Sequence, residues 1–280
     1  MRVAVLGATG FVGGHLTKAL AGRGDDVRAI SLHDPQAAAA SANGCDVVIN
    51  LAGAPIAQKW NDDAKREILE SRTLLPQRFL DALAGESAIP KAYVSASAVG
   101  YYGYSKDATF TESDGPGTDF LADVCARWEA TARNAHDLGM RVACVRSGIA
   151  LGSDGGALAK ILPPFKMGAG GVIGNGKQWF SWIHIDDLVG VYLLAIDGAD
   201  GALNATAPNP VTNAEFTKAL GEAIHRPSFL PVPTFALRAM LGEGADALLN
   251  GQRVVPKRTQ ELGYEFAFPT IGPALANVTV

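Results

Sequence analysis

Charge is scarce in this chain: Asp, Glu, Lys and Arg make up 19% of 280 residues, and the balance is −4 at pH 7. No Lys/Arg cluster interrupts that balance, so a nucleic-acid partner is not expected. No apolar run reaches the roughly 18 residues a membrane helix requires. No basic stretch leading into an apolar one reads as a leader; the apolar start reads as a strand. Cysteine is sparse too. Cys45, Cys125 and Cys144 are scattered, odd in number and without metal-ligand spacing, which points to reduced thiols in a cytoplasmic protein and to no metal centre. What remains is 48% apolar, ordinary globular composition over a length that buries a sizeable core.

Glycine, by contrast, is placed. Val3-Ala4-Val5-Leu6 runs into Gly7-Ala8-Thr9-Gly10-Phe11-Val12-Gly13, with Val12, Leu16, Ala19 and Leu20 following at helical spacing. Glycines at this spacing let a backbone approach a pyrophosphate closely and let the helix pack tightly on its strand. The helix start then offers Thr9, Gly10, Phe11, Val12 and Gly13 as backbone neighbours of the phosphates. The motif implies a dinucleotide site.

Alternation of short apolar runs and helical patterns through residue 150 implies an α/β fold with a Rossmann-type, doubly wound parallel sheet. Strands are expected at 27–32, 46–51, 92–96 and 142–145, and helices over about 62–84 and 119–138. Residues 35–44 have room for only a short helical turn. Beyond 150 the texture changes, with Pro163-Pro164 and the glycine-rich 168–176 breaking the alternation. Residues 1–150 are therefore read as the nucleotide-binding domain, with later strands contributed from about 170–205. Residues 151–280 are read as a smaller substrate-side lobe with helices near 186–197, 212–224 and 234–241.

Ligands bind beyond the carboxyl ends of parallel strands. No acidic residue closes the second strand, although Asp34 is near; Ser31 and His33 could accept a 2′-phosphate, favouring NADP(H) over NAD(H). Leu51, Ala52 and Gly53 follow the third strand and leave room for a cofactor. Ser97, with Tyr101 and Tyr102 close behind, follows the fourth and could face a nicotinamide ring and a substrate carbonyl. Arg146 follows the next strand and should border the nicotinamide end. Trp128 reads as core packing and Glu129 as a surface or capping carboxylate. His184 with Asp186 and Asp187 suggests helix capping rather than a metal. Gly168–Gly176 with Lys177 and Gln178 is either a phosphate or sugar cradle or a turn region. Arg253, Lys257 and Arg258 either face an anionic substrate or lie solvated between the lobes.

The Gly7–Gly13 head, Asn50-Leu51-Ala52-Gly53, Ser97 with Tyr102-Gly103, and Trp182–Asp187 resemble the extended short-chain dehydrogenase/reductases of the NAD-dependent epimerase/dehydratase superfamily. Tyr101-Tyr102-Gly103, Cys125–Glu129, Pro163-Pro164-Phe165 and Gly251–Arg258 resemble more narrowly its atypical SDR39U1-like (YfcH-like) branch of epimerase family proteins. That resemblance implies a C-terminal domain of the DUF1731 type over about 230–278. It also exposes a departure. Ordinary members carry Tyr-x-x-x-Lys, whose lysine lowers the tyrosine pKa; here Leu121 and Cys125 stand at those places, and Arg72 replaces an asparagine. Bringing a tyrosine from about 10 to about 7 requires roughly 4 kcal/mol that a neutral thiol cannot supply.

Three readings of the altered site remain open. Tyr101 or Tyr102 acts as the acid beside Arg72; Cys125 acts as acid or nucleophile with a lowered pKa; or the protein binds a cofactor without fast chemistry. The expected function is that of an NADP(H)-binding oxidoreductase or epimerase-like protein acting on an unidentified small molecule, the alternative a non-catalytic dinucleotide sensor or partner-binding protein. The short span from Leu32 to Asp46 leaves no room for an extra strand and implies an open adenine pocket.

Overall fold

Six short apolar strands form one parallel sheet because helices cover both its faces. In chain order they are β1 (Arg2–Leu6), β2 (Asp26–Ile30), β3 (Val47–Asn50), β4 (Ala92–Ala98), β5 (Arg141–Ser147) and β6 (Gly201–Ala205). The spatial order is β6-β5-β4-β3-β1-β2, and every pairing is parallel. The computed structural model describes residues 1–228 and 230–279. The helices are α1 (Phe11–Gly22), α2 (Pro35–Ala42), α3 (Asp62–Glu70), α4 (Leu74–Leu83), α5 (Phe120–Arg133), α6 (Leu158–Lys166), α7 (Ile185–Asp197), α8 (Asn213–Ala223), α9 (Thr234–Leu241), α10 (Asp246–Leu249), α11 (Lys257–Glu261) and α12 (Ile271–Thr279). Leu16 and Leu20 of α1 and Leu188, Val191 and Tyr192 of α7 bury one face; Ala38 of α2, Phe79 of α4 and Ala132 of α5 bury the other.

The direction of winding reverses between β1 and β3, which opens a crevice at their carboxyl ends. On the far side β2 is the sheet edge, and the chain returns to β3 through α2 alone. The segment expected to hold only a turn forms an eight-residue helix, because Asp34 caps it by accepting from the Gln36 and Ala37 N–H groups and Pro35 occupies its first position.

The expected helix over 62–84 is two helices. The Thr73 hydroxyl donates to the Leu69 carbonyl at 2.9 Å and the Ser71 hydroxyl to that of Ile68 at 3.1 Å, competing with the backbone ladder at the junction. Pro76 is tolerated because it falls in the first turn of α4. The break turns Arg72 inward. Pro163-Pro164, read as a break, lies inside α6 instead: both prolines face solvent while Leu158, Leu162 and Phe165 are buried, so packing overrides propensity.

A third core, with Leu162 and Phe165 of α6, Phe216 and Leu220 of α8, Leu275 of α12 and Trp182, lies beyond the sheet. The segment 264–279 is tied to α7 by polar contacts. Asp187 accepts from the Ala267 N–H at 2.8 Å, the Phe268 N–H at 2.9 Å and the Tyr264 hydroxyl. His184 is the N-cap of α7, accepting from the Asp186 N–H at 3.1 Å while its ring stacks on Phe268 and its Nε2 pairs with Asn277. The capping expected of the two aspartates thus falls to the histidine.

Candidate cofactor and substrate site

The crevice begins at the glycine turn. Gly7 has φ +83°, where a side chain is strained, and a Cβ there would lie 2.9 Å from the Ala52 nitrogen. A Cβ on Gly13 would collide with the Gly7 carbonyl and sit 2.9 Å from Ala8. Both glycines are therefore dictated by close backbone approach. Helix α1 has no side-chain cap and no acidic residue in its first turn, so its N–H groups and positive dipole end stay available to an anion. A dinucleotide's pyrophosphate fits this cradle.

A cleft of about 910 Å³ runs from this turn over the end of β2. Gly7, Thr9, Gly10, Ser31, His33, Leu51, Ala52 and Gly53 line it. Phe11, Val12 and Gly13 do not line it: the Phe11 ring packs on Gly152, Gly155 and Gly156, and Val12 packs against the core. Buried Asn50 donates to the Tyr93 hydroxyl at 2.9 Å and accepts from the Ala52 N–H at 3.1 Å, fixing the loop. Arg78, on α4, also lines the cleft and has an exposed side chain. Sequence reading missed it, because nothing local marks a helix arginine as facing a strand end.

A second cavity of about 360 Å³ lies at the carboxyl ends of β4 and β5, lined there by Ala98, Gly100, Ser147 and Gly148 and closed by residues from 171–181 and 247–252. Arg72 and Cys125 stand in its wall. Arg72 is buried, donating to the carbonyls of Ile68 at 3.1 Å and Ala54 at 3.0 Å and resting on the Trp128 ring at 4.9 Å. A Cβ on Gly53 would sit 2.9 Å from the guanidinium carbon, so this glycine makes room for the arginine.

Six expectations need correction. Ser97 lines neither cleft; its hydroxyl donates to Glu129 Oε1 at 2.8 Å. Period-two alternation puts it on the face of Ser95 and Tyr93, leaving Ala98 toward the cavity. Tyr102 is buried; its hydroxyl donates to Asn204 Oδ1 at 2.7 Å and accepts from Arg146 at 2.9 Å, and burial pushes its pKa up to about 12. Tyr101 lies with its ring 3.5 Å from the Arg146 guanidinium carbon, also away from both clefts.

Arg146, expected at the nicotinamide end, lines neither cleft. Its Nε and an Nη donate to the two oxygens of Glu129 at 2.7 and 2.8 Å. Burial alone lowers its pKa, but the Glu129 hydrogen bonds outweigh this and raise it. Glu129 is 1% exposed, not a surface carboxylate; its spacing of four from Cys125 places it on the buried stripe of α5. Cys125 is not activated either. Burial, and secondarily Glu129, push its thiol up to about 12 despite Arg72.

The basic residues near the C-terminus are engaged elsewhere: Arg253 over Trp179, Lys257 with Glu261, Arg258 with Asp200 at 2.7 Å. Gln178, at the end of the glycine-rich segment, donates to the carbonyls of Ile173 and Leu248. Among the described residues no group of three or more His, Cys, Asp or Glu could hold a metal, and no helix is long and apolar enough to cross a membrane.

The profile of the NAD dependent epimerase/dehydratase family matches residues 3–206. The chain belongs to that family. Residues 232–278 match a second profile, a domain of unknown function named DUF1731. An Arabidopsis thaliana epimerase family protein, the chloroplastic SDR39U1 homolog, is 42% identical over 99% of this chain and 86% of its own length. Mouse epimerase family protein SDR39U1 is also 42% identical, over 99% of both chains. The crystal structure of human SDR39U1 (isoform 2) with NADPH superposes with a TM-score of 0.92 at 38% identity, covering 99% of each chain. The epimerase/dehydratase match ends just after β6, so the six-stranded sheet is the family's share of this chain.

Proposed function

We propose that the chain is an NADP(H)-binding protein of the atypical extended short-chain dehydrogenase/reductase type, with oxidoreductase or epimerase-like chemistry on a small molecule. The uncapped start of α1, entered through two glycines that tolerate no Cβ, carries this reading. Choice of the phosphorylated cofactor rests on the end of β2. Asp34, which follows β2, is occupied as the cap of α2, while Ser31, His33 and Arg78 line the cleft, as do Glu67 and Glu70. The NADPH in the human relative's structure supports the same choice.

Bound there, the cofactor would supply a hydride at its nicotinamide ring. The chain's own contribution is a cavity beyond β4 and β5 that holds the substrate and excludes water, with Arg72 as its fixed charge. The Tyr-x-x-x-Lys relay has no substitute in Ser97, Tyr101, Tyr102 or Cys125, and this favours a second reading, a dinucleotide-responsive sensor. In either case the partner is a small molecule rather than nucleic acid or a membrane. The three buried free thiols suit the reducing cytoplasm.

Thermal melting with saturating NADPH and NADH tests binding, and we expect the larger rise with NADPH. No rise with either removes the proposal. Because β2 is the sheet edge, the adenine end is open and NADPH should bind more weakly than about 1 μM; fluorescence titration checks this, and submicromolar affinity contradicts it. A metabolite panel read at the nicotinamide absorbance band then separates enzyme from sensor.

A further inference from the structure

The cavity beyond β4 and β5 is one-sided in its polarity. Arg72 is the one charged residue among the described residues that line it. Among the described residues no ion pair satisfies this guanidinium; its donors go to two carbonyls and the Ser71 hydroxyl, and burial lowers its pKa. Trp128, in the same wall and 6% exposed, has an indole N–H with no hydrogen-bond partner among the described residues. A bare buried donor is costly, and a buried cation without a counter-charge more so. Both stand together where the wall is otherwise largely apolar, with Leu121, Val124, Ile161, Phe165 and Phe216.

Building on the NADP(H)-binding reading, we propose that this cavity receives a small apolar molecule bearing one carboxylate, whose oxygens accept from the Arg72 guanidinium and the Trp128 indole N–H. The anion would supply the counter-charge that Arg72 lacks and the acceptor that Trp128 lacks, while aliphatic or aromatic carbons fill the rest. A sugar nucleotide suits the wall poorly. Its diphosphate calls for more than one cation, and Arg72 is the one cation among the described residues of the lining.

The test uses the full chain saturated with NADPH and calorimetric titration with octanoate, octanamide and UDP-glucose. Octanoate should bind at least about tenfold more tightly than octanamide, and UDP-glucose should not displace it. Arg72→Gln should bring the two eight-carbon ligands within about twofold of each other. Trp128→Phe keeps the ring and removes the N–H; it should weaken octanoate about threefold or more and octanamide less. Ile161→Trp should fill the cavity and abolish binding of both. Should Arg72→Gln fail to fold, Trp128→Phe decides.

Equal binding of acid and amide, binding of neither, or displacement of octanoate by UDP-glucose overturns the proposal while leaving NADP(H) binding intact. Should NADPH itself not bind, the functional reading fails. The octanoate preference, measured without cofactor, still decides for or against an anion-binding cavity.

Discussion

Glu129 and Arg146 meet deep between β4 and α5, and together with Ser97, Tyr102 and Asn204 they form a closed polar network. Removing one charge from such a pair strands the other in low dielectric. Glu129→Gln should therefore destabilise the fold by about 3 kcal/mol in urea unfolding, with little change in NADPH affinity, since the network lines neither cleft. The buried thiols contribute to alkaline behaviour. Cys125 and Cys144 are both pushed from 9.0 up to about 12 by burial, so the folded chain keeps protons that the unfolded chain loses. Their contribution is intact below about pH 9 and falls as pH rises toward 12, each thiol removing up to about 1.4 kcal/mol per pH unit. Cys125→Ala should flatten that decline in unfolding free energy measured between pH 9 and 11.

At the scale of elements, α1 is held against β1 by the absence of side chains. Gly13→Ala should push the helix off the strand and lower both the melting temperature and NADPH affinity. Gly14→Ala, where nothing lies within 4 Å of the new Cβ, should be neutral or stabilising by about 0.5–1 kcal/mol. The pair separates glycine needed for packing from glycine that is merely present. Much of this level was legible in the chain, because strand, turn and helix at the start are local and their glycines carry their own geometric reason. The break at Ser71–Thr73 and the helix through Pro163-Pro164 were not. Side-chain competition for carbonyls decided the first and burial of Leu158, Leu162 and Phe165 the second.

For the molecule as a whole, segment 264–279 is fastened to α7 by apolar packing and by polar contacts, of which Asp187 makes the most. Asp187→Ala leaves the Ala267 and Phe268 N–H groups without their acceptor. Stability should fall by about 2–4 kcal/mol, and hydrogen exchange across 264–279 should accelerate ahead of that in β1–β5. The sequence by itself determined the parallel sheet, the missing strand beyond β2 and the glycine cradle. Each of these is written in local spacing or in the length between elements. Which side chains face the cavity was decided only in three dimensions. Ser97 and Arg146 are turned away by strand alternation and by the carboxylate of Glu129, 32 and 17 residues distant in sequence. Arg72 is turned inward by a helix break. Orientation of this kind depends on which partner satisfies a buried polar group, and that partner comes from another part of the chain.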